Sequence, residues 1–105
     1  MPLTPFERSL SELTARLLRE YRPLIAEAGL EATFDGITVR DENPPTRCSE
    51  VTVTFHKGGE FADIFEFFAE RDGSPRVTLA EAEDWLRKEL VDLPRRHSHG
   101  LTDDP

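Results

Sequence analysis

The sequence predicts a small two-layer α+β domain with the element order α-β-β-β-β-α. Three observations carry that prediction. Apolar residues recur at steps of three and four from Phe6 to Ala28, and again from Leu79 to Leu93. Between them, residues 30–34, 37–41 and 49–57 alternate apolar and polar with a period of two. A period near 3.6 marks a one-faced helix and a period of two marks a half-buried strand. Strands that follow one another through short turns form an antiparallel meander, and both helices then pack on one face of it. The 105 residues amount to one domain.

In the first helix Thr4 can cap, and Pro5 sits at the first helical position, where its missing N–H costs nothing. Phe6, Leu10, Leu13, Leu17, Tyr21, Leu24 and Ala28 form its stripe, widened by Leu18 and Ile25, and Gly29 is a natural stop. Glu12, Arg16 and Glu20 are spaced as a charge ladder on the solvent side. Pro23 interrupts the backbone bonding, so the segment reads as one kinked helix or as two helices meeting near Tyr21.

The sheet begins with residues 30–34 and 37–41 on either side of Asp35-Gly36, which reads as a hairpin turn. That hairpin pairs Phe34 with Ile37 and Ala32 with Val39 on one face, and Thr33 with Thr38 and Glu31 with Arg40 on the other. Residues 42–48, with Pro44-Pro45, form a loop. A third strand covers residues 49–57, Gly58-Gly59 turns the chain, and a fourth strand covers residues 60–70. Asp72-Gly73-Ser74-Pro75 ends the sheet. The last helix opens on a capping box, Thr78 with Glu81, and its stripe is Leu79, Ala82, Leu86, Leu90 and Leu93, flanked by Trp85. Pro94 is expected to stop it. The single domain is then residues 1–93, and residues 94–105, with Leu101 as their only large apolar side chain, form an unstructured tail.

Composition excludes several functions. Thirteen Lys and Arg against 21 Asp and Glu leave a net charge of −8, which opposes nucleic-acid binding and suits a basic partner. Cys48 alone makes no disulfide framework. Apolar runs are too short to span a membrane or form a secretion signal, so a cytoplasmic protein is expected, and the preference for Arg over Lys suggests a GC-rich bacterial genome. No glycine-rich phosphate loop, CxxC or HExxH occurs, and no cofactor is implied. His97-Ser98-His99 has the look of a chelating tract, but it lies in the expected tail without a carboxylate at ligand spacing, so no metal is implied either.

The fourth strand, FADIFEFF, is apolar on both faces with one acid on each. A two-residue Gly58-Gly59 loop pairs Phe55 with Ala62 and Val53 with Ile64. It sends Ala62, Ile64 and Phe68 to the core, and Phe61, Phe65 and Phe67 to the other face beside His56. A bulged turn swaps the sets and places Asp63 opposite Phe55, which is costly without a partner. The first register is therefore expected. It makes Phe61, Asp63, Phe65, Phe67 and His56 the candidate partner-binding residues, since aromatic groups with a polar rim mark interfaces. Three readings of that face stand open: a binding surface, a surface covered by a third layer, or a homodimer contact.

The function expected from this is a small acidic protein-binding module without catalysis, of the kind an inhibitor or immunity-type protein provides against a basic partner. A structural or regulatory homodimer using the same face is the alternative. A more distant one is an enzyme or small-ligand domain around His56 and Asp63, where a His–Asp pair would act as a general base.

Overall fold

The computed structural model describes residues 3–41, 47–71, 74–75 and 77–102. The elements are α1 (Pro5–Glu20), α2 (Arg22–Glu27), β1 (Glu31–Thr33), β2 (Thr38–Asp41), β3 (Arg47–Lys57), β4 (Glu60–Arg71), β5 (Ser74–Pro75) and α3 (Leu79–Thr102). The helices form one layer and an antiparallel sheet the other, as the sequence predicts.

The helix starts follow local chemistry. At α1 the Thr4 hydroxyl accepts from the Glu7 amide at 3.1 Å, and the Glu7 carboxylate accepts from the Thr4 amide at 2.9 Å. Thr78 and Glu81 repeat that exchange at 3.1 and 2.8 Å to open α3. Each box satisfies amides that have no partner within a helix. The first helical segment breaks at Tyr21, whose φ and ψ of −95° and 5° leave the helical region. Helical bonding nevertheless continues across the break, from the Tyr21 amide to Leu17 and from the Ile25 amide to Tyr21. The break places Pro23 in the first turn of α2, where its missing donor costs nothing. Arg16 and Glu20 pair across to α3, with Glu83 and Arg87, in place of the expected ladder along α1.

Asp35-Gly36 does not make a hairpin. β1 and β2 both pair with β3, lying end to end along one of its edges: Ala32 faces Phe55, and Val39 faces Ser49. Extending the β1 register past Thr33 misses the β2 register by one residue, so the chain between them holds a bulge. Gly36, at φ +102°, takes the backbone there through a region closed to other residues. Phe34 and Ile37 both pack against the core. The expected 42–48 loop falls largely on residues 42–46, outside the described residues, and Cys48 lies buried within β3. Past Arg71 the chain turns back, so that β5 pairs with the end of β4.

At Gly58-Gly59 the two-residue turn is present, with both glycines at positive φ and Lys57 facing Glu60. The register then shifts. His56 faces Phe61, but Phe55 faces Asp63, leaving Ala62 as the extra residue of a bulge. The expected pairs Phe55–Ala62 and Val53–Ile64 are thereby overturned; Val53 faces Phe65 and Val51 faces Phe67. A second shift leaves Ala69 unpaired further along β4.

The core lies between the layers. Val51, Val53 and Phe55 are fully buried under Leu10, Leu17, Leu86, Leu90 and Leu93. Phe65 is buried with its ring 5.3 Å from Trp85, edge to face, and 5.7 Å from Phe55. Phe67 lies 4.7 Å from the other side of this aromatic group, also against Trp85. Tilted and edge-on aromatic pairs add to the stabilisation from burial alone.

Pro94 does not stop α3, which runs on to Thr102 and so reaches into the stretch expected to be an unstructured tail. A proline inside a helix costs roughly 3 kcal/mol through its lost bond and the clash with the preceding turn. Here Leu93 is buried in the core cluster and Pro94 is buried beside it, and that burial offsets the cost.

Phe65→Ala is expected to lower unfolding stability by about 3–5 kcal/mol, because it empties the centre of the aromatic group. Phe61→Ala is expected to change it by less than about 0.5 kcal/mol. Urea denaturation of the two variants checks both, and equal losses would mean that the β4 register is wrong.

Candidate partner-binding face

The β4 bulge divides the five candidate residues between the two sides of the sheet. Phe65 and Phe67 belong to the core, and Asp63 shares their side. Phe61 and His56 remain together on the open side, away from the helices. Ile64, expected in the core, joins them there at 43% exposure, and Phe61 is 63% exposed. Sequence reasoning missed Ile64 because every position after Ala62 is read on the wrong face once the extra residue is overlooked.

The open face can be read in rows across the strands. Glu31, His56 and Phe61 form the row nearest the Gly58-Gly59 turn. Thr33, Thr54 and Ile64 form the next, followed by Thr52 with Glu66, and then by Thr38, Glu50 and Phe68. Successive rows stand about 6–7 Å apart, so Phe61 and Ile64 are near neighbours. Three carboxylates, Glu31, Glu50 and Glu66, share these rows, and no Lys or Arg occurs in them. Arg40 and Arg71 take register positions one row beyond, beside Cys48. Among the described residues, no helix covers Phe61 or Ile64, so a third layer does not account for this face.

On the other side, Asp63 obtains the partner that its position requires. His97 of α3 donates from Nε2 to Asp63 Oδ2 at 3.0 Å, and the Ile64 amide donates to Oδ1 at 2.8 Å. Arg96 lies 4.0 Å away. Burial pushes the Asp63 carboxyl up, but the His97 and Ile64 hydrogen bonds and the field of His97 and Arg96 outweigh it. The net effect holds Asp63 below the ordinary carboxylate range. His97 had a signal in the sequence. It falls four residues after Leu93, in step with Leu86 and Leu90, so it continues the buried stripe if the helix passes Pro94.

His56 and Asp63 therefore lie on opposite faces, which overturns the dyad proposed for a general base. The Asp63–His97 pair is a structural tie between α3 and the hairpin. Among the described residues, no group of three or more His, Cys, Asp or Glu side chains is placed to hold a metal ion. No helix is long and apolar enough to cross a membrane. Comparison of the chain with family models, with curated proteins and with solved structures finds no match.

Because the Asp63 pKa is depressed in the folded protein, its contribution to stability is complete above the unfolded value, about 3.9. It is lost as pH falls through the lower folded value. Asp63→Asn is expected to lower the urea midpoint at pH 7, and the gap from wild type is expected to close as pH falls below the unfolded value and through the lower folded one. A gap that stays constant from neutral to strongly acidic pH would contradict the tie.

Proposed function

We propose that this chain is a protein-binding module that docks a basic partner protein on the open face of its sheet. One observation carries the reading: Phe61 and Ile64, two of the three exposed large hydrophobic residues among the described residues, occupy adjacent rows of one face edged by carboxylates. An aromatic and an aliphatic anchor inside a polar rim is the arrangement in which a few residues supply most of the binding energy. The surrounding acids, on a chain of net charge −8, accelerate encounter with a basic surface and reject acidic ones. An inhibitor or immunity-type protein, acting on a basic target in the bacterial cytoplasm, fits this chemistry.

Charge also weighs against the homodimer. Stacking two copies through this face brings together surfaces that each carry Glu31 and Glu66, and like charges in contact cost several kcal/mol. The edge of β4 is guarded as well, because its two bulges and the inward Asp63 disturb the regular ladder that edge-to-edge pairing needs.

The test is a pull-down from the native lysate, followed by purification of the captured protein and calorimetry. The expected partner is basic, and its affinity falls as salt rises. Phe61→Asp and Ile64→Asp should each weaken it by about 2 kcal/mol or more, while Leu79→Asp, at an exposed site on α3, leaves it unchanged. A partner indifferent to both face variants, or a stable dimer of twice 12.0 kDa by light scattering, would overturn the proposal.

A further inference from the structure

We infer a second binding site, for an extended acidic peptide, in the groove between the α1–α2 junction and the edge of β1. The groove has a volume of about 400 Å³. Leu18, Ile25 and Ala32 give it an apolar floor, and Arg19 and Arg22 stand on its helical rim. Three features define what it takes.

The first is backbone. Glu31, Ala32 and Thr33, three consecutive residues, line the opposite wall. Side chains of a strand alternate between faces, so a wall made by consecutive residues is the strand's own edge. β1 stands last in the strand order and has no further strand partner among the described residues. Its outward N–H and C=O groups are therefore available to a strand laid alongside them, which is how extended peptides add to sheets.

The second is charge. Arg16 and Arg87 have carboxylate partners, whereas Arg19 and Arg22 have neither an ion pair nor a hydrogen bond among the described residues. Arg22 opens α2, the end of a helix at which a cation gains nothing from the backbone dipole. Two exposed guanidinium groups, unpaired among the described residues, outnumber the single groove carboxylate, Glu31, and suit a carboxylate-bearing peptide, since guanidinium binds carboxylate through paired hydrogen bonds.

The third is room. Side chains on alternate positions of an added strand point to opposite faces, so one set meets Leu18 and Ile25 and the other continues the open face beside Thr33. This site adjoins the acidic open face and shares Glu31 and Thr33 with it, while its two arginines and its apolar floor lie on the helical side.

The experiment is to pan a phage-displayed library of random decapeptides against the full chain, with the Arg19→Glu/Arg22→Glu variant as counter-target. Enriched sequences should alternate apolar residues and carry Asp or Glu. A synthetic peptide of the leading sequence should shift the amide resonances of Arg19, Arg22 and Ala32, and should bind the variant at least tenfold more weakly. The variant must keep the wild-type circular dichroism spectrum, and Arg22→Gln alone replaces it if it does not. Absence of enrichment, enrichment of basic sequences, or shifts confined to His56, Phe61 and Ile64 would each overturn the site. Decanoate is the control for a small ligand: if it shifts the same amides while no peptide is enriched, the groove binds acyl carboxylates and the peptide proposal fails.

Discussion

Ala62 is the extra residue that sets which half of β4 meets the helices. Without it, Phe65 and Phe67 would project into solvent, and Ile64 and Glu66 would lie beneath α3. With it, Trp85 has two aromatic partners, and the layers close over Val53 and Phe55. The same shift carries Asp63 to the helix side, where an unpartnered carboxylate is expensive. His97 meets that need, and it can do so because α3 runs through Pro94. The bulge, the aromatic packing, the Asp63–His97 bond and the length of α3 thus stand or fall together.

The helix layer is held by a comparable junction at its other end. Arg87 of α3 reaches Glu20 at 2.7 Å and the Tyr21 hydroxyl at 3.3 Å, and its own-helix neighbour Glu83 at 2.9 Å. The Tyr21 hydroxyl and the two carboxylates hold the guanidinium firmly in its charged form. Most of these groups are partly exposed, so their role is to fix geometry: they fasten α3 to the break between α1 and α2, where Pro23 prevents a continuous helix. That break also turns α2 toward β1 and forms one wall of the groove.

Two surfaces of opposite character follow from this architecture. The open sheet face exposes Phe61 and Ile64 beside carboxylates because nothing among the described residues packs over it. The groove combines an apolar floor with two arginines because the helix layer overhangs the short edge strand.

Much of the fold was legible in the sequence. Thr78-x-x-Glu81 starts α3, the stripes define the helices, and two glycines at positive φ turn β3 into β4, because each of these depends on neighbours within a few residues. The candidate site was legible only in part: Phe61 and His56 were placed together, but Phe65, Phe67 and Asp63 were assigned to the wrong side. The reason is the same at both failures. After Asp35-Gly36, a hairpin and a bulge both bring Phe34 and Ile37 to one face, so the local pattern is identical and only the presence of β3 alongside chooses the bulge. After Gly58-Gly59, strand four is apolar on both faces, so alternation cannot fix its register. The choice falls to Trp85 and His97, which lie more than 15 residues further along the chain, and contacts between such distant residues exist only once the layers have packed.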